Sequence, residues 1–301
     1  MTDPAARTMP YDEELRAAGL DPDAVLAQVR AALAEDLPAG YGQGDVTSVA
    51  TIAPEARGSG VLAAREAGVV AGLGIAALVF HEVMGDTVEI TDRVPDGTRV
   101  GPGDVVMRVS GPTRGLLTAE RTALNYASHL SGVATATAQW VEALEGTSAR
   151  VLDTRKTLPT YRALQKYAVR CGGGVNHRFS LSDRAMVKDN HVVAAGGVVP
   201  AYLAVKAAYP DLRVEVEVTD LDELRALLEA GCAEILLDNM DSATMAEAVR
   251  ITAGRATLEA SGGLTIERAR EVAETGVDYI SVGALTHSVK VFDLGLDLSE
   301  G

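Results

Sequence analysis

The sequence predicts an α/β protein in which an α+β first third is followed by an incomplete α/β barrel or an open parallel sheet. From Arg150 onward, short apolar runs alternate with helical stretches of crossover length, and such βαβ units require parallel strands. Between Gly58 and Leu117, apolar runs are instead punctuated by Gly, Pro and Asp, the pattern of antiparallel strands joined by tight turns. A chain of 301 residues suits two domains or one large one.

The elements follow in order. Asp21 to Leu37 has helical spacing, with Val25, Val29 and Leu33 on one face and Asp21 as N-cap. Val94-Pro95-Asp96-Gly97 and Gly101-Pro102-Gly103-Asp104 are hairpin chemistry resembling a lipoyl or biotin carrier, but no lysine stands there to be modified, which excludes that reading. Thr118 to Gly146 turns helical, as two helices meeting near Gly132. Strand-like runs then occur at Arg150–Arg155, Ala185–Lys188, Arg213–Val218, Glu234–Asp238, Thr257–Ala260 and Tyr279–Val282. Helical stretches such as Leu221–Ala230, Ala243–Thr252 and Ile266–Thr275 separate them. Six such strands are too few to close an eight-stranded barrel. The acidic, Leu-rich tail from Val291 to Leu298 is expected to pack back on the first domain.

Composition excludes several functions. A net charge of −15 argues against nucleic acid and anionic membranes, both of which would repel the protein. Met1 to Leu20 is polar and lacks the apolar core of a secretory signal, and the apolar run Gly68–Phe80 is too short to span a bilayer. Cys171 and Cys232 alone make no disulfide framework, so a soluble cytoplasmic protein is expected.

Against that acidic background, Arg150 to Asp189 holds nine Lys or Arg against three Asp and no Glu, a local balance of +6. Concentrated positive charge in an acidic protein points to a small, highly charged anion, or else to an Arg-rich solvated face. The ends of the expected parallel strands, where ligands bind in such folds, bear on that choice. They carry Arg155 with Lys156, Lys188, Glu217, Asp238, Ser261 with Gly262 and Gly263, and Gly283. In Val214-Glu215-Val216-Glu217-Val218, alternation puts the valines on one face and both glutamates on the other. That acidic face either points into a barrel or, on an edge strand, into water. Hard carboxylate donors at Glu217 and Asp238 suit Mg²⁺ shared with substrate phosphates, and no Cys/His spacing suggests zinc. Ser261-Gly262-Gly263 before a helix, and Val282-Gly283-Ala284 after the next strand, leave backbone N–H groups open to phosphate.

These motifs resemble those of the quinolinate phosphoribosyltransferase family. The resemblance rests on Asp153-Thr154-Arg155-Lys156-Thr157, Lys166–Val169, Gly172-Gly173-Gly174-Val175-Asn176-His177-Arg178 and Lys188-Asp189-Asn190-His191. It continues through Glu215–Val218, Leu237-Asp238-Asn239, Ser261-Gly262-Gly263 and Gly283–Ser288, and upstream through Leu33–Thr47 and Glu120–Asn125. It implies an N-terminal α/β sandwich joined to an open, incomplete parallel α/β barrel. On this chain the sandwich would occupy residues 1–130, with the tail 286–301 packed back on it, and the barrel 131–285.

The implied reaction takes quinolinate and phosphoribosyl pyrophosphate to nicotinate mononucleotide, pyrophosphate and CO₂ with Mg²⁺. The implied site lies at a homodimer interface and is completed by Arg121 of the partner. Arg155, Arg178 and Arg121 would clamp the dicarboxylate; Lys156 and Lys188 would meet carboxylate or phosphate; His177 would add a donor or fix the Gly172–Gly174 loop. Glu217 and Asp238 would hold Mg²⁺ or ribose hydroxyls. Thr154, Ser261, Gly262, Gly263, Val282, Gly283 and Ala284 complete the expected substrate site. Two other readings are a phosphoribosyltransferase for another pyridine acid and a non-catalytic anion-binding protein on the same scaffold.

Overall fold

Antiparallel strands early in the chain and parallel strands later sort it into two compact units, each with its own buried core. The computed structural model describes residues 11–38 and 44–300. Residues 1–10 of the polar N-terminal stretch, residues 39–43 within the Leu33–Thr47 motif and Gly301 lie outside the described residues. The first unit comprises the described residues up to Thr135, Ala163–Gly172 and the chain from Val289 onward. The second comprises Ala136–Arg162 and Gly173–Ser288.

The first unit begins with helices α1 (Asp12–Ala17), α2 (Pro22–Asp36) and α3 (Val46–Thr51). Asp21 caps α2 as its residue type requires, accepting from the N–H groups of Asp23 at 3.0 Å and Ala24 at 3.4 Å. Next come β1 (Arg57–Ala64), β2 (Gly68–Val69), α4 (Leu73–Met84), β3 (Glu89–Thr91), β4 (Arg99–Val100) and β5 (Val105–Pro112). The tail returns as a strand, Leu294–Glu300, antiparallel to β1, and the sheet order is tail, β1, β5, β3. Helix α4 is buried from Leu73 to Phe80 and packs on β5 and α2, which explains the density of Ala, Val and Leu in that segment.

The turn residue Asp96 does more than reverse the chain. Its carboxylate accepts from the N–H groups of Gly72 at 2.7 Å and Leu73 at 3.1 Å, so it caps α4 from a distance. It also accepts from the Tyr167 hydroxyl at 2.7 Å. Burial raises the Asp96 pKa, and these three hydrogen bonds hold it partly back.

Helix α5 (Thr113–Ala143) corrects the sequence reading, which expected two helices meeting near Gly132. It is one helix of 31 residues. Gly132 is needed because the Lys290 carbonyl of the returning tail occupies the space a Cβ would fill. The glycine marks a close approach of backbone, not a break. Its residues up to Thr135 belong to the first unit and the remainder to the second, so a division at 130/131 falls inside a helix.

Strand β6 (Arg150–Leu152) and helix α6 (Arg162–Cys171) follow, α6 clustering from Ala163 with the first unit. The rest of the second unit is β7 (Ala185–Val187), α7 (Asp189–Ala195), α8 (Val198–Ala208), β8 (Val214–Val218), α9 (Leu221–Glu229) and β9 (Glu234–Asp238). It ends with α10 (Ser242–Thr252), β10 (Thr257–Ser261), α11 (Ile266–Glu274), β11 (Tyr279–Ser281) and α12 (Ala284–His287). The six strands pair in parallel in the order β6-β11-β10-β9-β8-β7. β6 and β7 form the two edges, so the barrel is open; a parallel bridge from Leu152 to Val175 extends the β6 edge.

Strand β8 lies between β9 and β7, which rules out the water-facing edge for its glutamates. Val214, Val216 and Val218 are buried on one face, and Glu215 is 1% exposed on the other. Helix α9 shows how the strands are covered, with Leu224, Leu227 and Leu228 buried along one stripe. No single helix among the described residues is long and apolar enough to cross a membrane.

The Asp96 cap gives the first prediction. Asp96→Ala takes the shared acceptor from two helix N–H groups and a half-buried hydroxyl, and should lower stability by about 2–4 kcal/mol. Tyr167→Phe should cost about 1 kcal/mol. Urea titration of both variants checks the ranking, and an Asp96→Ala midpoint equal to wild type refutes the remote cap.

Candidate active site

Because every strand in the second unit runs the same way, the residues following them gather at one end of the sheet. Two adjoining cavities open there. One, of about 270 Å³, is lined by Arg155, His177, Arg178, Met186, Leu236 and Glu259, among others. The other, of about 460 Å³, is lined by Asp238, Asn239, Gly262, Gly263, Val282, Gly283, Ala284 and His287, among others. Thr154, Lys156, Lys188, Ser261 and Ser281 line both. Apart from Arg121 and Glu217, every residue expected at the site borders one of these spaces.

The segment after β6 is fixed from below. Asp153 is fully buried and accepts from Asn176 Nδ2 at 2.5 Å and from the His177 N–H at 2.9 Å. This pulls the Gly172–Arg178 loop against the strand end and sets the next residues, Thr154 to Lys156, at the rim. The Lys156 N–H donates to Thr154 Oγ1 at 3.1 Å, and the Lys156 carbonyl accepts from Thr286 Oγ1 at 2.8 Å.

His177 is 6% exposed, and both ring nitrogens are engaged inside the protein. Nε2 lies 2.9 Å from Glu215 Oε2 and 3.2 Å from Glu259 Oε2, while Nδ1 accepts from the Arg178 N–H at 2.7 Å. Burial alone would lower the His177 pKa, while hydrogen bonds and charge from Glu215 and Glu259 pull it upward, so the cluster as a whole draws a proton. A second ring proton would have to go on Nδ1, where the Arg178 N–H already points. The proton drawn to this cluster is therefore better placed between the carboxylates, and burial followed by repulsion from Glu259 indeed raises the Glu215 pKa.

Arg155 and Arg178 face the smaller cavity. The Arg178 pKa is lowered first by burial and then by the charge of Arg155. Arg155 Nε is buried with no hydrogen-bond partner among the described residues. Two half-buried arginines that repel each other, one with an unused donor, make a site that an anion would relieve.

Lys188 Nζ pairs with Glu217 Oε2 at 2.5 Å, which holds the lysine at the rim. Asp238 and Ser261 are in register at the ends of β9 and β10, and Asp238 Oδ2 accepts from Asn239 Nδ2 at 2.7 Å. Gly262 has φ of 97°, and a Cβ there would strike the Asn239 side chain and backbone nitrogen, so only glycine fits. This loop and the one at Gly283 keep their backbone accessible where phosphate oxygens could lie.

Glu217 and Asp238 fit Mg²⁺ as hard oxygen donors only if substrate oxygens complete the shell, since two carboxylates are too few alone. Among the described residues, the group of three potential ligands is a different one, His177, Glu215 and Glu259, and its members are buried, with His177 hydrogen-bonded to Glu215 and 3.2 Å from Glu259. Arg121 belongs to the first unit. It is exposed in a cleft of about 420 Å³ lined also by Glu66, Asn125 and Lys290. It makes no ion pair among the described residues, and Lys290 instead pairs with Glu66 at 2.6 Å.

Sequence reasoning missed Glu259, Asp153, Met186, Leu236 and Ser281 as parts of the site. Glu259 had a signal: a lone carboxylate between Leu258 and Ala260 at the centre of a parallel strand.

An open parallel sheet with clustered cations and glycine loops at its strand ends defines a phosphate-handling α/β enzyme that also takes a small organic anion. The chain belongs to the quinolinate phosphoribosyl transferase family: the C-terminal domain of that family matches residues 133–297 and the N-terminal domain residues 45–131. It is 51% identical over 280 residues to a Mycobacterium leprae protein named nicotinate-nucleotide pyrophosphorylase (carboxylating), a match covering 92% of this chain and 98% of that one. A Bacillus subtilis protein named probable nicotinate-nucleotide pyrophosphorylase (carboxylating) is 39% identical over 259 residues, covering 86% of this chain and 89% of the relative. The solved nicotinate-nucleotide pyrophosphorylase of Francisella tularensis matches the structure with a TM-score of 0.88 at 38% identity, over 93% of this chain and 98% of that one.

Proposed function

We propose that this protein transfers phosphoribose from phosphoribosyl pyrophosphate to quinolinate, releasing pyrophosphate and CO₂ and forming nicotinate mononucleotide for NAD synthesis. Family membership supports the reaction, and the observation that carries the substrate assignment is the repelling pair Arg155 and Arg178 over the smaller cavity. Two guanidinium groups match two carboxylates, and Lys156 and Lys188 add point charges on the side toward the larger cavity. The larger cavity takes the donor, its phosphates against Gly262, Gly263 and the backbone from Val282 to Ala284.

With both ligands seated, the ring nitrogen attacks the ribose carbon as its bond to pyrophosphate breaks, and the bonding electrons leave with pyrophosphate. Glu217 and Asp238 stabilise the positive charge that develops on the ribose. The nitrogen, now cationic, stabilises the electron pair left on the adjacent carbon when CO₂ departs, and that carbon uses the pair to take up a proton. Bound Mg²⁺, held by Glu217 and Asp238 with phosphate oxygens, would neutralise charge on the leaving pyrophosphate.

The protein works as a cytoplasmic homodimer in which Arg121 of one protomer completes the partner's site. Supporting this, Arg121 is an exposed arginine without an ion pair among the described residues, and both cysteines are free thiols.

The direct test mixes protein, Mg²⁺ and phosphoribosyl pyrophosphate with quinolinate or with nicotinate, and assays mononucleotide, pyrophosphate and CO₂. Turnover is expected with quinolinate and one CO₂ per mononucleotide. Turnover with nicotinate alone would identify the other-acid enzyme, and none with either a non-catalytic binder. Arg155→Ala should weaken quinolinate binding by about 2–3 kcal/mol while changing donor binding much less. Calorimetry showing equal losses for the two ligands would remove Arg155 from the acid clamp. The shared site makes a further demand. Arg121→Ala and Lys188→Ala homodimers should each be nearly inactive, yet a co-refolded mixture should recover about one quarter of wild-type activity, because random pairing gives hybrids one intact site. Hybrids that form without activity refute the contribution of Arg121 across the interface.

A further inference from the structure

Beneath the smaller cavity, Glu215 and Glu259 are 1% and 3% exposed, on the strands β8 and β10 that flank β9. Buried carboxylates are costly unless fully partnered. Here His177 Nε2 is hydrogen-bonded to Glu215 Oε2 and lies 3.2 Å from Glu259 Oε2, an atom with no hydrogen bond of its own among the described residues, and Arg184 reaches Glu215 Oε1 at 3.2 Å and Glu234 Oε2 at 2.5 Å. Apolar side chains of similar volume commonly serve packing as well as a buried ion network does, so packing alone does not account for it.

What the network holds is Arg178, at both ends. The Arg178 N–H donates to His177 Nδ1 at 2.7 Å, and its guanidinium donates to the Arg184 carbonyl at 3.2 Å. A neutral imidazole has one donor and one acceptor nitrogen. Carboxylates at Nε2 make that nitrogen the donor and leave Nδ1 as the acceptor that the Arg178 N–H requires. In the other tautomer, Nδ1–H would face the Arg178 N–H and the anchor would be lost.

We propose that Glu215, Glu259 and Arg184 are positioning residues for the acid subsite, fixing the His177 tautomer and, through it, aiming Arg178 at the dicarboxylate. The inference rests on the quinolinate reading above. Its test compares Glu259→Gln, which keeps an acceptor, with Glu259→Met, which removes it at similar volume. Calorimetry measures pyridine-2,3-dicarboxylate and phosphoribosyl pyrophosphate separately. Glu259→Met should weaken the dicarboxylate about tenfold or more and the donor less than about twofold, while Glu259→Gln keeps most of the affinity. Unchanged dicarboxylate binding in Glu259→Met, or equal loss of both ligands, overturns the proposal. Nitrogen-15 NMR of histidine-labelled wild-type protein at neutral pH supplies a readout independent of any variant. His177 should carry its proton on Nε2 and none on Nδ1, and a protonated Nδ1 overturns the proposal even if Glu259→Met fails to fold. Wild-type protein that does not bind the dicarboxylate refutes the substrate reading instead, and the tautomer measurement separates the two failures.

Discussion

Arg155 and Arg178 stand close enough at the rim of the parallel sheet for one charge to weigh on the other, and neither carboxylate of the buried cluster neutralises them by direct pairing. Holding two cations together in a half-buried space is unfavourable until an anion arrives. Much of the second unit serves that arrangement. Asp153 ties the Gly172–Arg178 loop to the strand end, His177 fixes the Arg178 backbone, and Glu217 restrains Lys188. The protein is acidic in total, yet its rim gathers Arg155, Lys156, Arg178 and Lys188 beside two carboxylates, Asp238 and the Lys188-paired Glu217.

Such a site is preorganised: the order its ligand needs is already supplied by folding, so binding immobilises fewer protein groups. The glycine loops act in the same way. Gly262 is held against Asn239, and Asn239 in turn donates to Asp238, so the glycine backbone proposed to meet phosphate and the carboxylate proposed to lie beside the ribose are parts of one local structure. The open sheet edge between β6 and β7 is compatible with this because the Leu152–Val175 bridge begins to fill it.

The second unit was legible to within a residue or two at most of its strands. Glu234–Asp238 was read with its observed bounds, since a continuous apolar run closed by a carboxylate leaves little room for another register. The cap at Asp21 and the inward glutamates of β8 were legible for similar reasons, one from residue type and the other from period-two alternation. Gly132 misled because glycine has two meanings in a helix, a break or a close contact, and sequence does not separate them. Only the Lys290 carbonyl, more than 150 residues later, decides.

The sequence by itself determined the class of fold, the identity of the strand-end residues and the excess of positive charge around them. These follow from local rules: alternation places side chains on faces, and parallel strands bring their ends to one rim. Tertiary structure alone decided what those residues do for one another. That His177 spends both nitrogens inside the protein, that Glu259 joins it from another strand, and that Asp96 caps a helix more than twenty residues upstream all depend on distances between chain-remote atoms. Hydrogen bonds and charge interactions act over a few ångströms of space whatever the separation along the chain, so folding must bring the partners together before their roles exist.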